Sequence, residues 1–168
     1  MHQYDYVIVG AGSAGSALAS RLSESGKFTV CLLEAGGSDK KFWVQMPLGY
    51  GKVFHDPSVN WRYMTEPEPN LDNQSVYWPR GKVLGGSSSI NAMVWVRGHK
   101  RDYEEWDSVA PGWGWNNVQK IFKRMESWDG VPNISRGTNG PQAVHDVSQD
   151  VHPLTISYLK AASQTGIK

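Results

Sequence analysis

Two runs of small residues have spacings that could hold a charged ligand. The first is Gly10, Gly12 and Gly15, a GxGxxG pattern placed directly after the apolar run "YDYVIVG". In such a pattern the first glycine permits a tight turn and the second lets backbone approach a pyrophosphate. The third lets helix and strand pack closely. A helix opening here would offer unpaired amides and a partial positive charge to phosphates. Glu34 stands 19 residues beyond Gly15, at the end of a second apolar run. Its carboxylate can accept hydrogen bonds from ribose hydroxyls, and its charge disfavours a 2′-phosphate, which argues against NADP. Together these residues point to a dinucleotide and leave FAD and NAD both open.

The second run is "GKVLGGSSSIN", Gly81 to Asn91. A Walker A loop needs a lysine after the last glycine of GxxxxG, and here Ser87 follows Gly86. The GxSxG spacing of a nucleophile elbow is also missing, so the serines do not read as nucleophiles. A flexible linker would not be flanked by core-like stretches such as "KVL" and "INAMVWV". The run reads as a tight loop whose amides and hydroxyls face a bound group.

Other reactive residue types offer less. His2, His55, His99, His145 and His152 read as surface or structural histidines, and no HxxxH or His/carboxylate spacing suggests a metal. Cys31 is the only cysteine, so an internal disulfide is excluded. Its setting, "TVCLLE", predicts an inert core thiol in a buried strand. No residue is nominated as a catalytic base.

The elements that must position the glycine loops follow from periodicity. "YDYVIVG" and "FTVCLLEAGG" predict two buried strands of a parallel sheet. Between them a helix is expected from Gly12, with Ala14, Leu18 and Leu22 on one face and Gly26 able to cap its end. Strand, helix, strand over this length is a βαβ unit of nearly obligatory hand. Residues 38 to 80 carry turn formers and aromatics, and "EPEPN" cannot be a helix interior. Trp43, Phe54, Trp61, Tyr63, Tyr77 and Trp78 need burial, which predicts an ordered excursion. "DYEEW" (102–106) predicts a short helix. "GWGWNNVQKIFKRME" predicts a clearer one, capped by Asn116 or Asn117, with Val118, Ile121, Phe122 and Met125 on one face. "NISRGTNGP" reads as loop. Pro153 suits the first turn of a last helix and Gly166 its end.

Bulk properties limit the function classes. The chain has 168 residues, 39% hydrophobic and 20% charged, with 18 glycines, nine prolines and eight tryptophans. That is the composition of one globular domain or a large part of one. A net charge of +1 supplies no field to recruit nucleic acid or acidic membrane. No run approaches the ~20 apolar residues of a membrane span. With no basic region or signal-type run at the N-terminus, a cytoplasmic location is expected, without excluding membrane association of a longer parent.

The second run also resembles the signature of the glucose-methanol-choline (GMC) oxidoreductases. Gly81, Lys82, Leu84, Gly85, Gly86, Ser87, Ser88, Ile90, Asn91, Trp95, Gly98 and Glu104 fit its constrained positions. "DYVIVGAGSAG", "LLEAG", "NWRYMTEPEP", "DYEEW", "GWGWNNV", "GPQAV" and "HPL" look like further family landmarks in family order. The nearest likeness is to choline dehydrogenase-like or general alcohol dehydrogenase-like members.

The resemblance implies an α/β, Rossmann-like FAD-binding domain of the glutathione reductase type, incomplete because later segments and the substrate domain are absent. It divides 1–168 into a dinucleotide unit (1–37), an excursion with the flavin-facing loop (38–110), and helices that begin the substrate-domain region (111–168). It implies FAD, with its ADP half on Gly10, Gly12, Ser13, Ala14, Gly15, Glu34 and Ala35. The isoalloxazine end would lie near Val83, Gly85, Asn91, Ala92, Met93 and Val94. Some members tether FAD through a histidine just before that Asn. Ile90 stands there, which implies non-covalent binding. The implied parent reaction oxidises an alcohol by hydride transfer to flavin, with a C-terminal histidine pair or His/Asn pair handling the proton. That pair is expected outside this chain, so the chain alone is not expected to be competent. A non-catalytic nucleotide-binding or interaction subunit and a truncated gene product stay as alternatives. Exposed apolar surface, poor folding alone or association with a partner are also expected.

Overall fold

The computed structural model describes residues 2–167. They form two compact units that meet in sequence between Val94 and Trp95. No helix among the described residues is long and apolar enough to cross a membrane.

The first unit opens with β1 (Tyr6–Val9), α1 (Ser13–Ser23) and β2 (Val30–Leu33). The strands are parallel, with Tyr6 opposite Val30 and Val9 opposite Leu33. Asp5 sets that register: one carboxylate oxygen accepts the Thr29 N–H and hydroxyl, both at 2.7 Å. Gly10, at φ +97°, turns the chain from β1 into the helix, a conformation that L side chains rarely adopt. The helix ends at Ser23, and Gly26 takes the left-handed position in the turn that follows.

The strands are not the buried pair that their apolar runs predict. Val7 is 59% and Val9 83% exposed, and Leu18 of α1 is 51% exposed. Parallel strands become buried when helices cover both faces of a sheet. Here, among the described residues, β1 and β2 pair only with each other, which leaves both edges and much of the surface uncovered. Cys31 is accordingly half-buried.

The core of this unit lies further along the chain. Val53, Val59, Val83 and Ile90 form it, with Val44 packed against them. Short helices α2 (Phe42–Gln45) and α3 (Tyr50–Val53), with a 3-10 turn at Pro47–Gly49, bring Val44 and Val53 inward. A two-residue antiparallel pair, β3 (Tyr63–Met64) and β4 (Tyr77–Trp78), closes the excursion. The aromatics expected to be buried are only partly so. Phe54 and Tyr77 are half-buried, while Trp43, Trp61, Tyr63 and Trp78 are exposed. Their rings pair at the surface: Trp61 stacks on Tyr63 at 5.9 Å, and Lys82 and Arg80 lie over Trp61 and Trp78.

The second unit contains α4 (Lys100–Val109), α5 (Trp115–Met125), β5 (Glu126–Trp128), β6 (Gln142–Val144) and α6 (Pro153–Gln164). Helix α4 begins ahead of 102–106, where His99 and Asp102 form a reciprocal capping box, and runs on to Val109. The cap of α5 is Gly114, not Asn116 or Asn117. Asp107 explains the shift: one carboxylate oxygen accepts the N–H groups of Gly112 and Gly114, so the helix begins earlier. On α5 Val118 is buried and Phe122 half-buried, while Ile121 and Met125 remain exposed. Tyr103 packs against Trp106, Trp115 and Phe122.

β5 and β6 run parallel. Glu126, fully buried, pairs with Arg97 and Arg136 and accepts the Gly137 N–H. Burial opposes its charge, but the Gly137 and Arg136 hydrogen bonds and the two guanidinium charges outweigh it and hold its pKa below the ordinary value. Helix α6 has Pro153 in its first turn and Gly166 at φ +85° beyond its end.

Candidate functional site

The site is assembled from the ends of β1 and β2 and the loop Gly81–Ser89. After Gly10, helix α1 starts at Ser13, and Gly15 lies so close to the Gly10 carbonyl that no Cβ could fit. After β2, Gly36 is seated on the Lys82 carbonyl just as tightly. Gly86, at φ +58°, meets the first loop face to face: a Cβ there would stand 2.7 Å from Gly12 Cα. The Ser13 and Ser88 hydroxyls touch across the same seam. The two glycine runs, far apart in sequence, are one backbone-on-backbone assembly.

Hydrogen bonds fix it. The Gly85 N–H donates to the Ala11 carbonyl and the Leu84 N–H to the Gly37 carbonyl, at 2.8 and 2.9 Å. Glu34 accepts the Ala11 N–H at 2.8 Å and the Gly36 N–H at 2.9 Å, one on each oxygen. Gly86–Ser89 winds into a 3-10 turn, led by Gly85 at φ +87°. Ser87 and Ser89 bond within the loop, to the Gly81 N–H and the Leu84 carbonyl.

Around this seam lies a cleft of about 640 Å³. Gly10, Gly12, Glu34 and Ala35 form one wall, and Gly81, Gly86 and Ser87 another. Trp61, Tyr63 and Arg80 form a third. That third wall was not foreseen from the sequence. Asn60, 2% exposed, builds it. Its Oδ1 accepts the N–H groups of Arg62 and Arg80, and its Nδ2 donates to the Phe54 carbonyl. The Trp61 N–H also donates to the Arg80 carbonyl. The stretch "NWRY" carries Asn60, Trp61 and Tyr63, but nothing in its spacing announces a bracket with Arg80.

The remaining predicted positions separate. Val83 is fully buried, its side chain in the core, so only its backbone can face a ligand. Ile90, 3% exposed, is in the same cluster. Asn91 and Met93 line a second, smaller cavity of about 260 Å³ with Trp43, Met46 and Tyr50. Asn91 Oδ1 accepts the Met93 N–H, and Met93 takes φ +60°. Ala92 and Val94 are exposed and line neither cavity.

The histidines cap helices, stack on aromatic rings or contact a carboxylate. His99 and His152 cap α4 and α6 through Nδ1, His55 stacks on Tyr77, and His2 stacks on Tyr4. His145 Nδ1 contacts the Asp129 carboxylate. None of the five lines either cavity. The carboxylates held below their ordinary range are Asp5, Asp56, Asp129 and Glu126, and all lie outside both cavities. No cluster of three metal-ligating side chains occurs among the described residues. The cleft therefore offers helix amides, one carboxylate and aromatic rings. That set suits a long ligand with phosphates, ribose and flat rings.

Comparison with known proteins agrees. The family model described as GMC oxidoreductase matches residues 4–168. An oxygen-dependent choline dehydrogenase of Rhizobium rhizogenes is 48% identical over 99% of this chain. The chain spans about 30% of the length of that relative. Pyridoxine 4-oxidase from Mesorbium loti superposes with a TM-score of 0.89 at 33% identity, over 96% of this chain and 32% of its own. An FAD-dependent oxidoreductase from Chaetomium thermophilum gives 0.81 at 28%, over 96% and 29%.

Proposed function

The chain belongs to the GMC oxidoreductase family, and we propose that it forms the FAD-binding part of a flavoenzyme that oxidises the CH–OH group of an alcohol. Choline-like alcohols are the favoured substrates, on the likeness to choline dehydrogenase.

Gly12 is the observation that carries the cofactor reading. A Cβ there would meet only Gly86 Cα, at an ordinary 3.9 Å. The fold has room for a Cβ at this position, so the glycine keeps the cleft clear for something that must approach the backbone. The amides at the start of α1, from Gly12, Ser13, Ala14 and Gly15, would hold a pyrophosphate, with Gly10 shaping the turn. Glu34 and Ala35 would hold the adenosine ribose. Trp61 and Tyr63 offer aromatic surface to the base.

Gly85 and the Val83 backbone, with Asn91, Ala92, Met93 and Val94, would receive the flavin end. Ile90 has no nucleophile and its side chain is in the core, which supports non-covalent binding. Bound FAD supplies the hydride acceptor. The residues of this chain would bind it and orient it. No histidine among the described residues lines either cavity, so we assign none of them to proton handling.

Titration of the purified chain with FAD tests the reading. Saturable uptake, with all flavin released by acid, is the expected outcome. Failure to take up FAD would overturn the cofactor assignment, and flavin surviving acid precipitation would overturn the non-covalent one.

A further inference from the structure

We infer that Glu34 has a second role, separate from contact with a ribose: it positions the loop Gly81–Ser89 through the Ala11 peptide and the Gly36–Gly37 turn. Describing that loop as flavin-facing rests on the proposed function, but the positioning itself does not.

The geometry is a staple. Glu34 Oε2 accepts the Ala11 N–H at 2.8 Å, and Oε1 accepts the Gly36 N–H at 2.9 Å. One carboxylate thus spans the segments that leave β1 and β2. Each segment then carries one amide of the second loop. The Ala11 carbonyl accepts the Gly85 N–H, and the Gly37 carbonyl accepts the Leu84 N–H. Two consecutive loop amides are therefore held by the two segments that Glu34 joins.

Ala11 is only 1% exposed, so its peptide has no water to replace a lost partner. Its carbonyl is further anchored by the Ser16 hydroxyl at 3.0 Å. Gly36 is seated directly on the Lys82 backbone, so a shift of one segment is transmitted to the other. A carboxylate suits this place because it only accepts, at both ends. A glutamine would turn an NH2 group toward one of the two amides, donor against donor. An aspartate keeps the charge but is one methylene too short to span both.

Hydrogen exchange of individual amides, in chain free of nucleotide, tests this. In Glu34→Gln and Glu34→Asp, exchange at Leu84 and Gly85 should accelerate about tenfold, the scale of one lost charged hydrogen bond. The Thr65 amide, which donates to the Val76 carbonyl in the same unit and away from the staple, should keep its wild-type rate. Unchanged rates at Leu84 and Gly85 would leave Glu34 as a ligand contact alone and overturn the inference. Acceleration at Thr65 as well would mark general destabilisation and overturn it too. The wild-type FAD titration is read separately. Absent uptake with local acceleration sinks the cofactor reading and keeps the staple, and the reverse pair of results does the opposite.

Discussion

The two glycines that face each other across the cleft should respond to alanine in opposite ways. Gly12 has φ −76° and ψ −171°, an extended conformation open to any residue. Its added methyl meets Gly86 Cα at 3.9 Å, within ordinary contact. Gly12→Ala should therefore leave stability within about 0.5 kcal/mol of wild type. Its effect should fall on the ligand: a methyl forced into a close approach costs about 1–3 kcal/mol, or a 5- to 150-fold loss of FAD affinity. Gly86→Ala differs. The left-handed backbone at φ +58° costs an alanine about 1–2 kcal/mol. Its Cβ would also stand 2.7 Å from Gly12 Cα, and forcing the loops apart adds about 1–3 kcal/mol. Denaturant unfolding and FAD titration of both variants separate the effects. If Gly12→Ala loses as much stability as Gly86→Ala, or binds FAD as tightly as wild type, the cleft is not shaped by its ligand in the way argued above.

Three further outcomes are expected. Asn60→Ala strands the Arg62 and Arg80 amides, while the Phe54 carbonyl keeps the Tyr77 hydroxyl, and should cost about 1–3 kcal/mol in denaturant unfolding while loosening the Trp61 wall. Trp61→Ala should weaken FAD by about 1–3 kcal/mol, the worth of stacking a base on an aromatic ring, and leave FMN binding unchanged in parallel titrations. Glu126→Gln leaves Arg97 and Arg136 facing a neutral group and should cost about 3–5 kcal/mol near neutral pH. The sign with pH follows from its lowered folded pKa. Glu126 stabilises fully above its unfolded value, near 4.5, and the contribution fades as pH falls through the folded one. Unfolding measured from pH 7 downward should show the gap between wild type and Glu126→Gln closing in acid.

The first half of the site was legible because it is local. Gly10, Gly12 and Gly15 sit within one strand-to-helix turn, and Glu34 ends the next strand, so spacing alone brings them together. The run Gly81–Asn91 was legible as a tight loop for a similar reason: its paired glycines stand between apolar stretches, and the structure gives Gly85 and Gly86 positive φ. Asn60, Trp61, Tyr63 and Arg80 were not legible as a group. Their association depends on a buried amide bridging residues 20 positions apart, and no periodicity encodes that. Val83 was expected near the flavin end on the family pattern; its side chain packs into the core, which leaves its backbone to face a ligand. The burial expected of β1 and β2 followed from their apolar runs. Composition reports what a strand would bury, not whether a covering layer stands over it.

The seam between Ser13 and Ser88 also orders events in time. Those hydroxyls are 75 residues apart, so bringing the two glycine runs together closes a long loop, with a length-dependent entropy cost of about 4 kcal/mol. Once β2 ends at Leu33, a ribosome adding about 5–20 residues per second needs roughly 3–11 s to reach Ser88. During this interval the β1–α1–β2 segment has no second run to lean on. The nascent chain must pass through a stage in which a strand pair with open edges is present and the cradle is not, and that stage is where a chaperone would have most to do.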